Sequence, residues 1–204
     1  MVISEEWSAT EWKFLVDKCL NDGWKTFYCK SKGVQCNTDD FVTIANKCSN
    51  LKALGFRLNI GVMQSWPVLP SPWTSLRHIY ICSARFGGVF EHVELQMTLP
   101  NLERIMLQEL GDNNNIMEPS FLPDLEGCDK LELAVFNQGF FRFNGDILPG
   151  DKIPLPPGLK SLNLKDSRFH EEFMNQIKYE DIKKILPGLQ FLNASEIIPE
   201  HLLL

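Results

Sequence analysis

No stretch of this sequence stays apolar for the roughly 20 residues a membrane-spanning helix needs, and the run 185–192 is broken by Pro187. No Cys-x-x-Cys pair occurs either. Cys19, Cys29, Cys36, Cys48, Cys82 and Cys128 stand far apart, without the His-x-x-x-His type of partner that a zinc site requires. These thiols are expected to be reduced and buried, acting as small hydrophobes. Positive charge is in deficit: 20 Lys and Arg against 26 Asp and Glu give a net charge of -6. That balance argues against coating nucleic acid or anionic lipid through bulk charge and leaves room only for a local basic surface. The opening residues carry Glu5 and Glu6 where a signal or transit peptide would place Lys or Arg, so a cytoplasmic or nuclear protein is expected.

Catalytic constellations are missing as well. His78, His92, His170 and His201 are scattered, and none neighbours a Gly-x-Ser-x-Gly nucleophile motif. Gly87 and Gly88 form a lone pair that reads as a turn rather than a phosphate cradle, and His170-Glu171-Glu172-Phe173 lacks the second His of a zinc-protease helix. The expectation is a protein that is not an enzyme and holds no cofactor or metal.

What is present is a repeat. The pattern apolar-x-x-apolar-x-apolar recurs clearly at Leu51-Leu54-Phe56, Leu76-Ile79-Ile81, Leu102-Ile105-Leu107 and Leu159-Leu162-Leu164. Weaker copies stand at Trp24-Phe27-Cys29, Leu131-Ala134-Phe136 and Leu189-Leu192-Ala194. Starts at 24, 51, 76, 102, 131, 159 and 189 keep intervals of 25 to 30 residues, the spacing of leucine-rich repeats. The lead-ins repeat too, as in Cys48-Ser49-Asn50, Leu99-Pro100-Asn101, Cys128-Asp129-Lys130, Pro156-Pro157-Gly158 and Leu186-Pro187-Gly188. Two features in one register make coincidence a poor explanation. The predicted fold is therefore α/β: a leucine-rich-repeat solenoid with a curved parallel sheet of about seven strands on its concave face, and helices and irregular returns on its convex face.

No repeat can bury its apolar face without neighbours, so the ends need caps. Residues 1–23 are assigned to an N-terminal helical cap, since Ser8 and Glu11 form a capping-box pair ahead of Trp12, Leu15, Val16, Cys19 and Leu20 at helical spacing. Residues 24–197 form the repeat domain and 198–204 a tail. Among the returns, 38–47 and 170–186 read as helices, 66–73 and 112–115 as irregular segments. Asn144-Gly145 suggests a small hairpin over 140–146, and Phe140, Phe141 and Phe143 read as core rather than interface.

The stretch 38–54, with Cys48, Asn50, Leu51 and Leu54, resembles the cysteine-containing leucine-rich repeats of F-box substrate receptors; Cys128, Leu131 and Ala134 echo it. The resemblance implies a substrate-recognition role in a ubiquitin ligase. No F-box is visible in the sequence, so a contact with the ligase adaptor would use a region outside this chain. A freestanding inhibitor or assembly chaperone that binds one partner is the alternative.

Side chains alternate along a strand, which places positions two, four and six after each repeat's first apolar residue on the concave face. None of those 21 positions is Asp or Glu, although 26 of 204 residues are acidic. The candidate partner-binding residues are Tyr28, Lys30, Arg57, His78, Tyr80, Arg104, Met106, Gln108, Asn137 and Lys165. Cationic, aromatic and adaptable apolar types of this kind suit a protein partner with an acidic or phosphorylated segment. Net negative charge disfavours nucleic acid, and no membrane contact is expected.

Overall fold

Each of the seven recurring segments closes the same turn before it enters a strand. In the computed structural model, the N–H groups of Trp24, Leu51, Leu76, Leu102, Leu131, Leu159 and Leu189 donate to the carbonyls three residues back, at Asn21, Cys48, Trp73, Leu99, Cys128, Pro156 and Leu186, over 2.8 to 3.3 Å. The structure describes residues 2–3, 7–29, 36–58, 65–83, 89–109, 120–138, 140–142, 154–165, 167–169, 184 and 186–193.

The strands that follow are β2 (Thr26–Cys29), β3 (Ala53–Leu58), β4 (His78–Ser83), β5 (Arg104–Glu109), β7 (Leu133–Asn137), β9 (Ser161–Asn163) and β11 (Phe191–Asn193). They stack in sequence order as one all-parallel sheet, with the short β1 (Val2–Ile3) added beside β2. The architecture is a solenoid. Its register is the one the repeat spacing predicts, because Phe27, Leu54, Ile79, Ile105, Ala134, Leu162 and Leu192 are successive lateral partners. A second inward row runs through Cys29, Phe56, Ile81, Leu107 and Phe136.

Between the strands, the carbonyl that precedes each strand accepts two N–H groups from the next rung. Lys25 O takes Lys52 N and Ala53 N at 2.8 and 3.2 Å, and the arrangement recurs at Lys52, Arg77, Glu103, Glu132 and Lys160. The first apolar position of each repeat lies behind this rung. Leu51, Leu76, Leu102, Leu131 and Leu159 are buried in one continuous core with the two inward rows. Truncating one of them, such as Leu102→Ala, leaves a cavity in this core and costs about 3 kcal/mol.

The N-terminal cap is α1 (Ala9–Phe14) followed by a π-helical turn, Leu15–Cys19. Ser8 accepts from Glu11 N and the Glu11 carboxylate accepts from Ser8 N, completing the expected capping box. Trp12, Leu15, Val16 and Leu20 close that end of the core. The first return is α2 (Thr38–Lys47), over the residues expected; Asn37 and Asp40 cap it, and Phe41 and Ile44 are buried.

Among the described residues, the next two returns depart from a full helix. Residues 66–73 are irregular, as their prolines require, and bury Trp66, Leu69 and Trp73. A single turn, α3 (Leu95–Thr98), follows in the next return. Beyond it, β6 (Ser120–Phe121), β8 (Phe140–Arg142) and β10 (Arg168–Phe169) form a second, three-stranded parallel sheet, ordered β10-β8-β6. The first arm of the expected hairpin therefore pairs with neighbouring repeats, because stacking gives its backbone parallel partners on both sides. Phe141 is buried against Phe136, as core. The hairpin turn itself, Phe143, the 112–115 return, the tail 198–204 and, apart from Lys184 and Leu186, the helix expected over 170–186 lie outside the described residues.

Candidate functional site

Because the inward rows are taken up by the core, the strands present their other face outward. Strand β5 shows the alternation plainly: Arg104, Met106 and Gln108 point out, while Ile105, Leu107 and Glu109 are buried. Lateral pairing then builds three outward rows. The first runs Thr26, Ala53, His78, Arg104, Leu133, Ser161 and Phe191. The second runs Tyr28, Gly55, Tyr80, Met106, Val135, Asn163 and Asn193, and the third Arg57, Cys82, Gln108 and Asn137.

Most of the residues expected on this face are therefore brought together. Tyr28, His78, Tyr80, Met106, Gln108 and Asn137 are partly exposed, and Arg104 and Lys165 are exposed. Arg57 takes its place in β3 by its backbone pairing with Cys82; its side chain, like the whole of Lys30, lies outside the described residues. Four outward positions are buried instead of open: Ala53, Gly55, Cys82 and Val135.

Hydrogen bonds link the outward side chains across rungs. The Tyr80 hydroxyl donates to Gln108 Oε1 at 3.1 Å, and Gln108 Nε2 donates to Gln138 Oε1 at 2.6 Å. Gln138 sits just beyond β7 at φ 56°, a left-handed conformation that turns its side chain back toward this row. The relay links three long side chains across neighbouring rungs. Behind the sheet, buried Glu109 accepts from Ser120 Oγ at 2.5 Å, tying β5 to the second sheet.

No protein-family model matches this chain, and no curated protein or solved structure matches it significantly.

One row escaped the alternation rule. The residue just before each strand, Lys25, Lys52, Arg77, Glu103, Glu132, Lys160 and Gln190, forms a rim along one edge of the outward face. Its middle is self-neutralised. Glu103 Oε1 lies 3.6 Å from Arg77 Nε, and its Oε2 lies 3.7 Å from His78 Nε2. Glu132 accepts from Lys160 Nζ, and that bond, then the Lys160 charge and the Arg104 charge, hold its carboxyl below the usual value. The outward positions lack carboxylates, but the adjoining rim supplies two.

Among the described residues no three His, Cys, Asp or Glu side chains gather as a metal site would require, and no helix is long and apolar enough to cross a membrane. On the opposite side of the solenoid, Glu94, Gln96, Asp124, Glu126 and Gly127 line a shallow cleft.

Proposed function

We propose that this chain is a leucine-rich-repeat module that acts without catalysis, binding a partner protein on the outward, concave face of its main sheet. The observation that carries the reading is the cluster of Tyr80, Met106 and Gln108 beside Arg104, part-exposed on a sheet whose other face is buried core. Aromatic, Met and Arg side chains held on rigid strands are the types that dominate interface energetics. Seven rungs at about 4.8 Å make a face roughly 30 Å long, suited to a peptide segment or the edge of a folded domain.

The partner in this reading presents an acidic or phosphorylated segment with an apolar anchor. The resemblance of 38–54 to F-box receptor repeats supports substrate recognition for a ubiquitin ligase, docked through a region outside this chain. A freestanding inhibitor or assembly chaperone uses the same face but predicts one stoichiometric partner. Six free cysteines fit a reducing cytoplasmic or nuclear setting.

Affinity purification from lysate tests the reading, comparing wild type with a Tyr80→Ala/Arg104→Glu variant shown to be folded by circular dichroism. Proteins held by wild type and lost by the variant support it, and ligase subunits among them select the receptor role. Equal recovery with both overturns it.

A further inference from the structure

The outward face is not uniform. At β3 its floor drops, because the two outward residues there are Ala53 and Gly55, both buried, while taller side chains stand on either side: Thr26 and Tyr28 on β2, His78 and Tyr80 on β4. The Tyr28 ring leans across Gly55, so that a Cβ at Gly55 would stand 2.2 Å from its Cδ1. The result is a shallow depression over Ala53, between Thr26 and His78, closed at the Gly55 end by the Tyr28 ring.

The mouth of this depression, at the rim, is where the open positive charge lies. Lys25 and Lys52 are neighbouring rungs joined through Lys25 O and Lys52 N at 2.8 Å. Both are exposed, and neither makes an ion pair among the described residues. Asp22, on the turn before Lys25, accepts Ser49 N and Ser49 Oγ on its Oδ1 at 3.0 and 2.7 Å. Farther along the rim the cations already face anions: Arg77 faces Glu103 and Lys160 faces Glu132.

Resting on the concave-face reading above, we propose that an acidic segment of the partner protein enters at the first three repeats, its carboxylates on Lys25 and Lys52 and an adjacent apolar side chain in the Ala53 depression. Charge complementarity selects this occupant. The two cations at this mouth are lysine point charges, which suit carboxylates more than bidentate phosphate recognition.

The probe is a fluorescein-labelled dodecapeptide of Glu and Ala around one central Phe, titrated against the whole chain by fluorescence anisotropy. A Gln-for-Glu version, a phosphoserine version and oligo-dT serve as comparators. Lys25→Glu/Lys52→Glu is expected to weaken the acidic peptide about tenfold or more, as the loss of two attractive pairs and the gain of two repulsive ones implies. The charge-matched Lys18→Glu/Lys130→Glu variant, at two exposed lysines outside the candidate face, is expected to change it less than twofold, and Ala53→Leu to weaken it without altering charge. Equal loss with the charge-matched variant, binding of the Gln peptide as tight as that of the Glu peptide, or tighter binding of phosphoserine peptide or oligo-dT each overturns the inference. Its failure stays distinct from failure of the broader reading: a lysate partner lost with Tyr80→Ala/Arg104→Glu yet kept by Lys25→Glu/Lys52→Glu defeats the depression alone.

Discussion

The indole N–H of Trp12 donates to Oδ2 of Asp40 at 3.0 Å, joining the N-terminal cap to the first returning helix through a buried bond. The same carboxylate oxygen accepts from Asn37 N at 3.4 Å, and Lys13 Nζ stands 3.7 Å from its Oδ1. One side chain thus closes both a helix start and the end of the solenoid. Asp40→Ala leaves the indole donor unsatisfied in the core and is expected to cost about 2 kcal/mol in urea denaturation, with Asp40→Asn costing less. An unchanged midpoint for Asp40→Ala would remove this bond from the account of the cap.

Gly55 is the second structural prediction. A methyl group there meets the Cδ1–Cε1 edge of the Tyr28 ring rather than a flexible tip, so Gly55→Ala must displace the ring. The expected penalty is about 1 kcal/mol, and it should largely vanish in a Tyr28→Ala background, because the clash then has no second party. Additive effects of the two substitutions in a double-mutant cycle would show that the ring does not rest there.

Acid sensitivity follows from two surface carboxylates. Hydrogen bonds from Ser8 hold Glu11 below its ordinary value of 4.5, and Lys160 does the same for Glu132. Both folded values lie below the unfolded ones, so each contribution is present above about pH 4.5 and is lost as pH falls through the depressed values. Ser8→Ala and Lys160→Ala should therefore each flatten the fall of melting temperature between pH 6 and pH 3. A fall as steep as that of wild type in both variants contradicts the assignment.

Thiol reactivity provides a third check on the fold. Burial pushes the Cys48 thiol up to about 11 and the Cys128 thiol up to about 12, and it raises the Cys36 thiol as well. Cys29 and Cys82 are also buried, leaving Cys19 as the one partly exposed thiol of the six. Iodoacetamide at pH 8 should label Cys19 first and reach the others only on unfolding. Rapid labelling of Cys48 or Cys128 in the folded protein would mean that the stacked core is wrong.

The solenoid was legible because its information is periodic. Leu54, Ile79 and Ile105 recur at intervals set by the stacking, and the structure pairs them as the spacing requires. The second sheet was not legible: β6 and β10 are two residues each, too short to show alternation, and pair only because stacking aligns them. Of the candidate surface, Tyr80, Arg104, Met106 and Gln108 could be placed by alternation alone. Alternation could not foresee that Tyr28 leans over Gly55, nor that Glu103 and Glu132 stand at the rim one position outside the counted rows. A scan of the residue just before each strand would have found those charges.

Site-specific photocrosslinking tests the central claim most directly. Benzoyl-phenylalanine is placed in cells at Met106, on the outward face of β5, or at Val68, on the exposed return of the solenoid. Binding on the main sheet predicts a discrete partner adduct from Met106 and none from Val68. The same adduct from Val68 alone would place recognition on the returns and contradict the account.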